Sequence, residues 1–242
     1  MKHLLIDADS ALYKAGLSNE TRKYTVMTEE GTTVAEFRYK KDMLAFLAEP
    51  DREELIWAKS REVGPVHYSI GNLKRICNQM ITPPFAEDEE ITYQMYIQGS
   101  GNFREEIYED YKGNRNSADK PVHMEEMVDY LKNVWGAIVV EGEETDDKVS
   151  YLQYQSYMSS TYPSTCIVTI DKDLKNTPGY NYNYDKKELI FITPEEADLN
   201  FARQLLTGDS TDNIPGLKGM GPKTAVKILP EWREDWLDIV IH

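Results

Sequence analysis

The chain has 242 residues, with 27 Lys and Arg against 42 Asp and Glu, a formal net charge of −15. At 40% hydrophobic and 29% charged it has the composition of a folded globular protein with a sizeable core. No apolar run approaches the roughly 20 residues of a membrane span, and Asp7 stands where a signal peptide needs apolar residues. Cys77 and Cys166 make no disulfide scaffold and read as small core residues in a reducing compartment. The acidic balance speaks at first against a nucleic-acid partner, because phosphate contacts need Lys and Arg.

Lys2 to Ile6 is a short apolar run ending at Asp7, the pattern of a buried parallel strand. Residues 22–40 alternate and break at Glu29-Glu30-Gly31, which predicts a hairpin. Helical patterns follow at 41–62, broken near Pro50, and at 71–82 before Pro83-Pro84. Residues 90–97 predict a second core strand, and 103–120 are dense in charge and Tyr. Met124, Met127, Val128, Leu131 and Val134 are spaced for a helix over 123–135. A strand at 137–140, a helix at 144–158, a strand at 165–170 and a hairpin at 180–192 follow. Thr193-Pro194-Glu195-Glu196 starts another helix, with Thr193 as N-cap and Pro at the first position. Strands alternating with helices imply an α/β fold with a central, mostly parallel sheet flanked by helices.

Acids follow several of these strands: Asp7; Glu144, Asp146 and Asp147; Asp171 and Asp173; Asp209 and Asp212. In an open parallel sheet the C-terminal strand ends share one edge, where ligands bind. A single such Asp is ordinarily a turn residue or helix cap. Four acidic groups, each behind an apolar run, instead suggest a cleft whose repulsion is relieved by Mg²⁺ or Mn²⁺. Two such ions serve phosphodiester cleavage.

Residues 206–229 change texture. Gly219-Met220-Gly221 permits a tight turn whose N–H groups approach a phosphate, and Pro222 starts the next helix. Residues 214–229 hold Lys218, Lys223 and Lys227 and no acid, so this segment is +3 in a chain of −15. A helix–hairpin–helix grips a nucleic-acid backbone in this way without reading bases.

Taken together these segments resemble the 5′-nuclease (flap endonuclease) family, which includes bacteriophage 5′→3′ exonucleases and the 5′→3′ exonuclease domain of bacterial DNA polymerase I. The matching pieces, in order, are Leu5-Ile6-Asp7; Phe103-Arg104 leading to Tyr111-Lys112-Gly113-Asn114-Arg115; Glu144-Thr145-Asp146-Asp147; Thr169 to Leu174; and Thr207-Gly208-Asp209 through Lys223-Thr224-Ala225. The resemblance spans about residues 1–230 and implies a PIN-like 5′-nuclease core over 1–200, with a helix–three-turn–helix DNA-binding lobe over 201–242.

It further implies roles. Asp7, Glu144, Asp146 and Asp171 match acids around the more catalytic metal. Asp173, Asp209 and Asp212 match acids of the second, and Asp147 matches an outer position. Lys112 and Arg115 match residues that brace the scissile phosphate, Arg104 matches an Arg of the same region, and Tyr111, which precedes Lys112, is placed to stack on a base. Lys218, Gly219, Gly221, Lys223 and Thr224 match the DNA-gripping turn, where a K⁺ can bridge to phosphate. The segment 103–120 would arch over single-stranded 5′ DNA, partly disordered when free. Its own balance, Arg104, Lys112, Arg115 and Lys120 against five acids, also suits a solvated helix face.

One position departs from the pattern: Gln98 stands where the family carries an Asp. The segment 20–90 matches only loosely. The expectation is a monomeric, phage-type cytoplasmic enzyme using two Mg²⁺ or Mn²⁺ on DNA with a 5′ end or flap, or on RNA–DNA hybrids. A PIN-like ribonuclease and a non-catalytic DNA-binding scaffold are the alternatives. The Gly-rich hairpin argues against the first and the retained acids against the second. Set apart the eight cleft acids and the remaining charge is −7, so DNA binding should be weak, salt-sensitive and metal-dependent.

Overall fold

The computed structural model describes residues 2–87, 89–113, 120–159 and 164–241. β1 (Lys2–Asp7) leads into α1 (Asp9–Leu17), then β2 (Glu20–Met27), β3 (Thr33–Phe37), α2 (Lys40–Leu47), β4 (Ile56–Val63) and α3 (Val66–Met80). β5 (Ile91–Gln98), α4 (Phe103–Ile107), α5 (Met124–Trp135), β6 (Ile138–Val140), α6 (Thr145–Ser159) and β7 (Thr165–Val168) follow. β8 (Gly179–Asn183), β9 (Glu188–Ile192), α7 (Pro194–Thr207), β10 (Gly208–Asp209), β11 (Ile214–Pro215), α8 (Pro222–Ile228) and α9 (Trp236–Ile241) complete the chain.

The main sheet has the order β6-β5-β1-β7-β8-β9, parallel except for β9. Both faces are covered, which is why β1 is apolar at consecutive positions. Leu4 and Ile6 point to one face with α1, α3 and α5, where Leu12, Leu73, Ile76, Met80, Met127 and Leu131 are buried. Leu5 points to the other, against Tyr96, Val140, Ile167 and Val149 of α6. Each such fully buried side chain contributes about 1.5–3 kcal/mol. Cys77 and Cys166 are free and buried, and burial pushes both thiols up to about 12, so they serve as core residues.

β1 is central. The chain places β5 and β6 on one side of it and β7 and β8 on the other. Connections therefore diverge beside β1, and a crevice opens past its C-terminal end. That end is Asp7.

The expected mostly parallel sheet between helices is present, and most elements stand within a few residues of expectation. Thr193 caps α7 in a reciprocal capping box with Glu196, with Pro194 at the first position. The sequence pattern is overturned at β4. Residues 56–63 form a strand rather than the end of a helix, antiparallel to β2 from Glu20↔Val63 to Met27↔Ile56. Edge position explains the pattern: the strand is mostly exposed, so it carries charge where a core strand would be apolar. α3 begins at Val66, five residues before the predicted start at 71, because Pro65 sets its first turn.

β2, β3, β4 and α2 form a separate small layer around Tyr24, Val26 and Met43. Its base is closed: Gly64 N–H donates to the Asn19 carbonyl at 3.0 Å, and Asn19 Nδ2 donates to the Gly64 carbonyl at 3.1 Å. α7, α8 and Leu229 share another small core with Ala202, Leu206 and Ala225. A boundary at 200/201 therefore falls inside α7. Among the described residues no helix is long and apolar enough to cross a membrane.

Candidate metal and nucleic-acid site

Asp7 is 7% exposed at the end of β1. Its Oδ1 accepts the Asp9 N–H at 3.2 Å and its Oδ2 accepts the Thr169 hydroxyl at 3.1 Å. Burial, with repulsion from Asp9 and Asp146, pushes its carboxyl up to about 8. Asp9, in the first turn of α1, accepts the Gln98 N–H at 2.9 Å and is likewise raised, by burial foremost and by Glu144. Asp9 escaped the sequence reading. The signal was the Asp7-Ala8-Asp9 spacing, masked because an acid in a first helical turn is commonplace.

The next acids stand at the start of α6, where the helix dipole favours negative charge. Glu144, Asp146 and Asp147 each offer an oxygen within 4.8 Å of the others. Asp147 N–H donates to Asp146 Oδ1 at 2.8 Å. Asp146 is pushed up to about 6, first by burial and then by Glu144 and Asp147.

Thr169 links β1 to the acids after β7: it donates to Asp7, and its oxygen accepts the Asp171 N–H at 3.0 Å. Asp171 Oδ1 accepts the Asp173 N–H at 3.0 Å. Asp173 and Asp209 share a hydrogen bond. Burial and Asp171 raise Asp173 to about 6. At Asp209 burial is outweighed by the Thr211 N–H, Lys172 and Asp173, and its carboxyl is lowered.

The Asp212 carboxylate shares Tyr111 and Lys112 with Glu144. The Tyr111 hydroxyl lies 2.8 Å from Glu144 Oε2 and 3.0 Å from Asp212 Oδ2. Lys112 pairs with Glu144 Oε1 and lies 3.8 Å from Asp212 Oδ2. Two bonds to main-chain carbonyls clasp this stretch to the β10–β11 hairpin: Lys112 N–H donates to the Asp212 carbonyl at 2.9 Å, and the Asn213 side-chain Nδ2 to the Asp110 carbonyl at 2.9 Å.

The structure gives three positions partners of their own. Tyr111 is only 7% exposed, so its ring lies inside the acidic cleft instead of on an open stacking surface. Burial and its two carboxylate neighbours raise its hydroxyl pKa, which keeps it a donor. Arg104 grips Asp147 with both terminal nitrogens, a pairing that raises the guanidinium's pKa and makes it a counter-ion of the acidic group. Gln98 holds neighbouring backbone: its Nε2 donates to the Glu143 carbonyl at 3.0 Å and its Oε1 accepts the Thr145 N–H at 3.1 Å. Arg115, and with it residues 114–119 of the expected arch, lies outside the described residues.

In the C-terminal lobe Gly219 has φ +79°, the left-handed conformation the turn needs, and Gly221 and Pro222 open α8. Lys218, Lys223 and Thr224 are exposed around it.

The donor set tests well against a hard divalent cation. It is all carboxylate oxygen, and burial together with mutual repulsion holds Asp7 and Asp146 above the usual carboxylate range.

No family model matches the chain. By sequence it is 32% identical over 146 residues to DNA polymerase I of Rhizobium leguminosarum, covering 54% of this chain and 14% of that protein. It is 31% identical over 144 residues to the 5′-3′ exonuclease of Aquifex aeolicus, covering 53% of this chain and 48% of that protein. The chain thus spans less than half the length of these relatives. Among solved structures, the T5 D15 protein co-crystallised with metal ions superimposes with a TM-score of 0.54 over 99% of this chain and 84% of that one, at 13% identity. That likeness is one of fold. The chain is a relative of the Aquifex 5′-3′ exonuclease and of bacterial DNA polymerase I, in agreement with the motifs its sequence carries.

Proposed function

We propose that the chain is a divalent-metal-dependent 5′→3′ exonuclease and structure-specific 5′-flap endonuclease acting on DNA. The observation that carries this reading is the convergence of acids from β1, α6 and the loop after β7 on the edge where Tyr111 and Lys112 also arrive. The name of the Aquifex relative and the metal ions of the T5 D15 crystals support it.

Asp7, Asp9, Glu144, Asp146 and Asp147 would hold one Mg²⁺ or Mn²⁺, and Asp171, Asp173 and Asp209 a second. When bound, such ions supply a nucleophilic water and stabilise the leaving oxygen of an in-line displacement. Thr169 orients Asp7 and Asp171 together through one hydroxyl. Lys112, which pairs with Glu144, would brace the scissile phosphate, with Arg115 as its expected partner. Tyr111 holds Glu144 and Asp212 at fixed separation. Lys218, Gly219, Gly221, Lys223 and Thr224 would grip duplex backbone, with a K⁺ at the turn. Because such a grip reads no bases, the RNA strand of a hybrid is a second substrate class. The protein works as a monomer.

The test is cleavage of 5′-labelled flap, nicked and blunt duplexes in Mg²⁺ or EDTA. Short 5′ products that need metal and vanish in Asp171→Ala support the reading. Tight DNA binding without cleavage in either Mg²⁺ or Mn²⁺ sinks it and favours a scaffold.

A further inference from the structure

Gln98 is the last residue of β5 and stands where that strand meets two elements that deliver acids to the cleft, α1 and α6. Its N–H donates to Asp9 Oδ1 at 2.9 Å, which ties β5 to the first turn of α1. Its side-chain oxygen accepts the Thr145 N–H at 3.1 Å, one of the N-terminal donors that α6 cannot satisfy itself. Its side-chain nitrogen donates to the Glu143 carbonyl at 3.0 Å. The loops beyond it are also joined. Gly99 N–H donates to the Val140 carbonyl at 2.8 Å, Gly142 N–H to the Ser100 carbonyl at 2.9 Å, and the Ser100 hydroxyl to Glu141 Oε2 at 2.7 Å. Gln98 is the end of this seam nearest the acids.

The two side-chain bonds have opposite polarity. An amide makes both at once, whereas a carboxylate can accept from Thr145 but only repel the Glu143 carbonyl. A carboxylate here would also face Asp9, already destabilised by burial and by Glu144. The chemistry at this position therefore selects Gln over Asp.

The geometry points to Gln98 as a positioning residue: it fixes the Glu143–Thr145 backbone so that Glu144, Asp146 and Asp147 present their oxygens to a divalent cation. This role rests on the nuclease reading above and gives the neutral residue at an otherwise acidic position a function of its own. Outer partners of this kind are worth 10–100-fold in metal affinity in other proteins, which sets the scale of the expected effect.

The experiment is calorimetric titration of the unmodified protein, Gln98→Met and Gln98→Asp with Mn²⁺, alongside the metal dependence of flap cleavage. Gln98→Met keeps the shape and removes both side-chain bonds. It is expected to bind Mn²⁺ about tenfold more weakly and to need about tenfold more metal for half-maximal rate, with KM for DNA within about twofold. Gln98→Asp is expected to weaken binding as well. Unchanged Mn²⁺ affinity in Gln98→Met overturns the inference, as does tighter binding by Gln98→Asp, which would mean that the position faces the metal directly. Absence of Mn²⁺ binding by the unmodified protein would instead overturn the nuclease reading. Melting temperatures within about 2 °C of each other separate positioning from loss of fold.

Discussion

Tyr111 places its hydroxyl 2.8 Å from Glu144 inside the acidic cleft, and the same oxygen is 3.0 Å from Asp212. One phenol therefore joins the start of α6 to the hairpin that precedes α8. It carries a single proton for two carboxylates, and Lys112 supplies the positive charge that lets both sit there. Tyr111→Phe keeps the ring and removes the proton. We expect a stability loss of about 1–2 kcal/mol by denaturant titration and a fall in kcat of about tenfold. A stacking role predicts the opposite, because Phe stacks as well as Tyr; full activity in Tyr111→Phe would restore it.

Asp9 should show opposite effects on stability and binding. It is nearly buried, and its charge is disfavoured by burial and by Glu144. Asp9→Asn removes that cost, so the metal-free protein should melt higher than the unmodified one, while Mn²⁺ affinity falls by about tenfold or more. Calorimetry of both proteins, with and without metal, checks the pair of signs. A variant that binds metal normally would remove Asp9 from the ligand set.

Protons and divalent ions should compete in the cleft. Asp7 is pushed up to about 8 and Asp146 and Asp173 to about 6, against 3.8 for an ordinary Asp. Between those values the native state holds protons that the unfolded chain has released. This contribution to stability is complete below the ordinary carboxylate value and is lost as pH rises through 6 and then 8. In EDTA the melting temperature should therefore decline from about pH 5 to about pH 9, and Mg²⁺ should restore it most at the alkaline end. A melting temperature independent of pH in EDTA would contradict the repulsion described here.

The lobe around Gly219 should act through charge alone. Lys218→Ala and Lys223→Ala are each expected to raise KM for duplex DNA with kcat unchanged, and to reduce the salt slope of binding by about 1. Binding titrations across a series of salt concentrations decide this. An unaltered slope would place the DNA elsewhere.

Local chemistry was legible wherever pattern and position coincide. Leu4, Leu5 and Ile6 spell a strand buried on both faces, Thr193 to Glu196 spell a helix start, and Asp7 falls where that strand must end. What escaped depends on partners distant in sequence. β4 is a strand because β2 pairs with it across thirty-odd residues, and its own exposed, charged pattern says little. Tyr111 points inward because Glu144 and Asp212 wait for its hydroxyl, and Gln98 is an amide because Glu143 and Thr145 present opposite polarities. Arg104 finds its fork in Asp147, forty-odd residues away. A motif tells which residue types assemble; it does not tell which of them neutralise one another.

The hydrogen bonds between Asn19 and Gly64 have a consequence for how such a chain can change. They bring the two ends of a forty-odd-residue excursion together at one point, leaving α1 and α3 to pack as if joined directly. The excursion is therefore a cassette. Beyond Glu20 and Arg61, which hold the Val122 N–H and the Lys120 carbonyl, it can be exchanged or shortened, and the order and register of the main sheet need not change. Evolution can thus remodel this side of the protein without touching the acids at the strand ends.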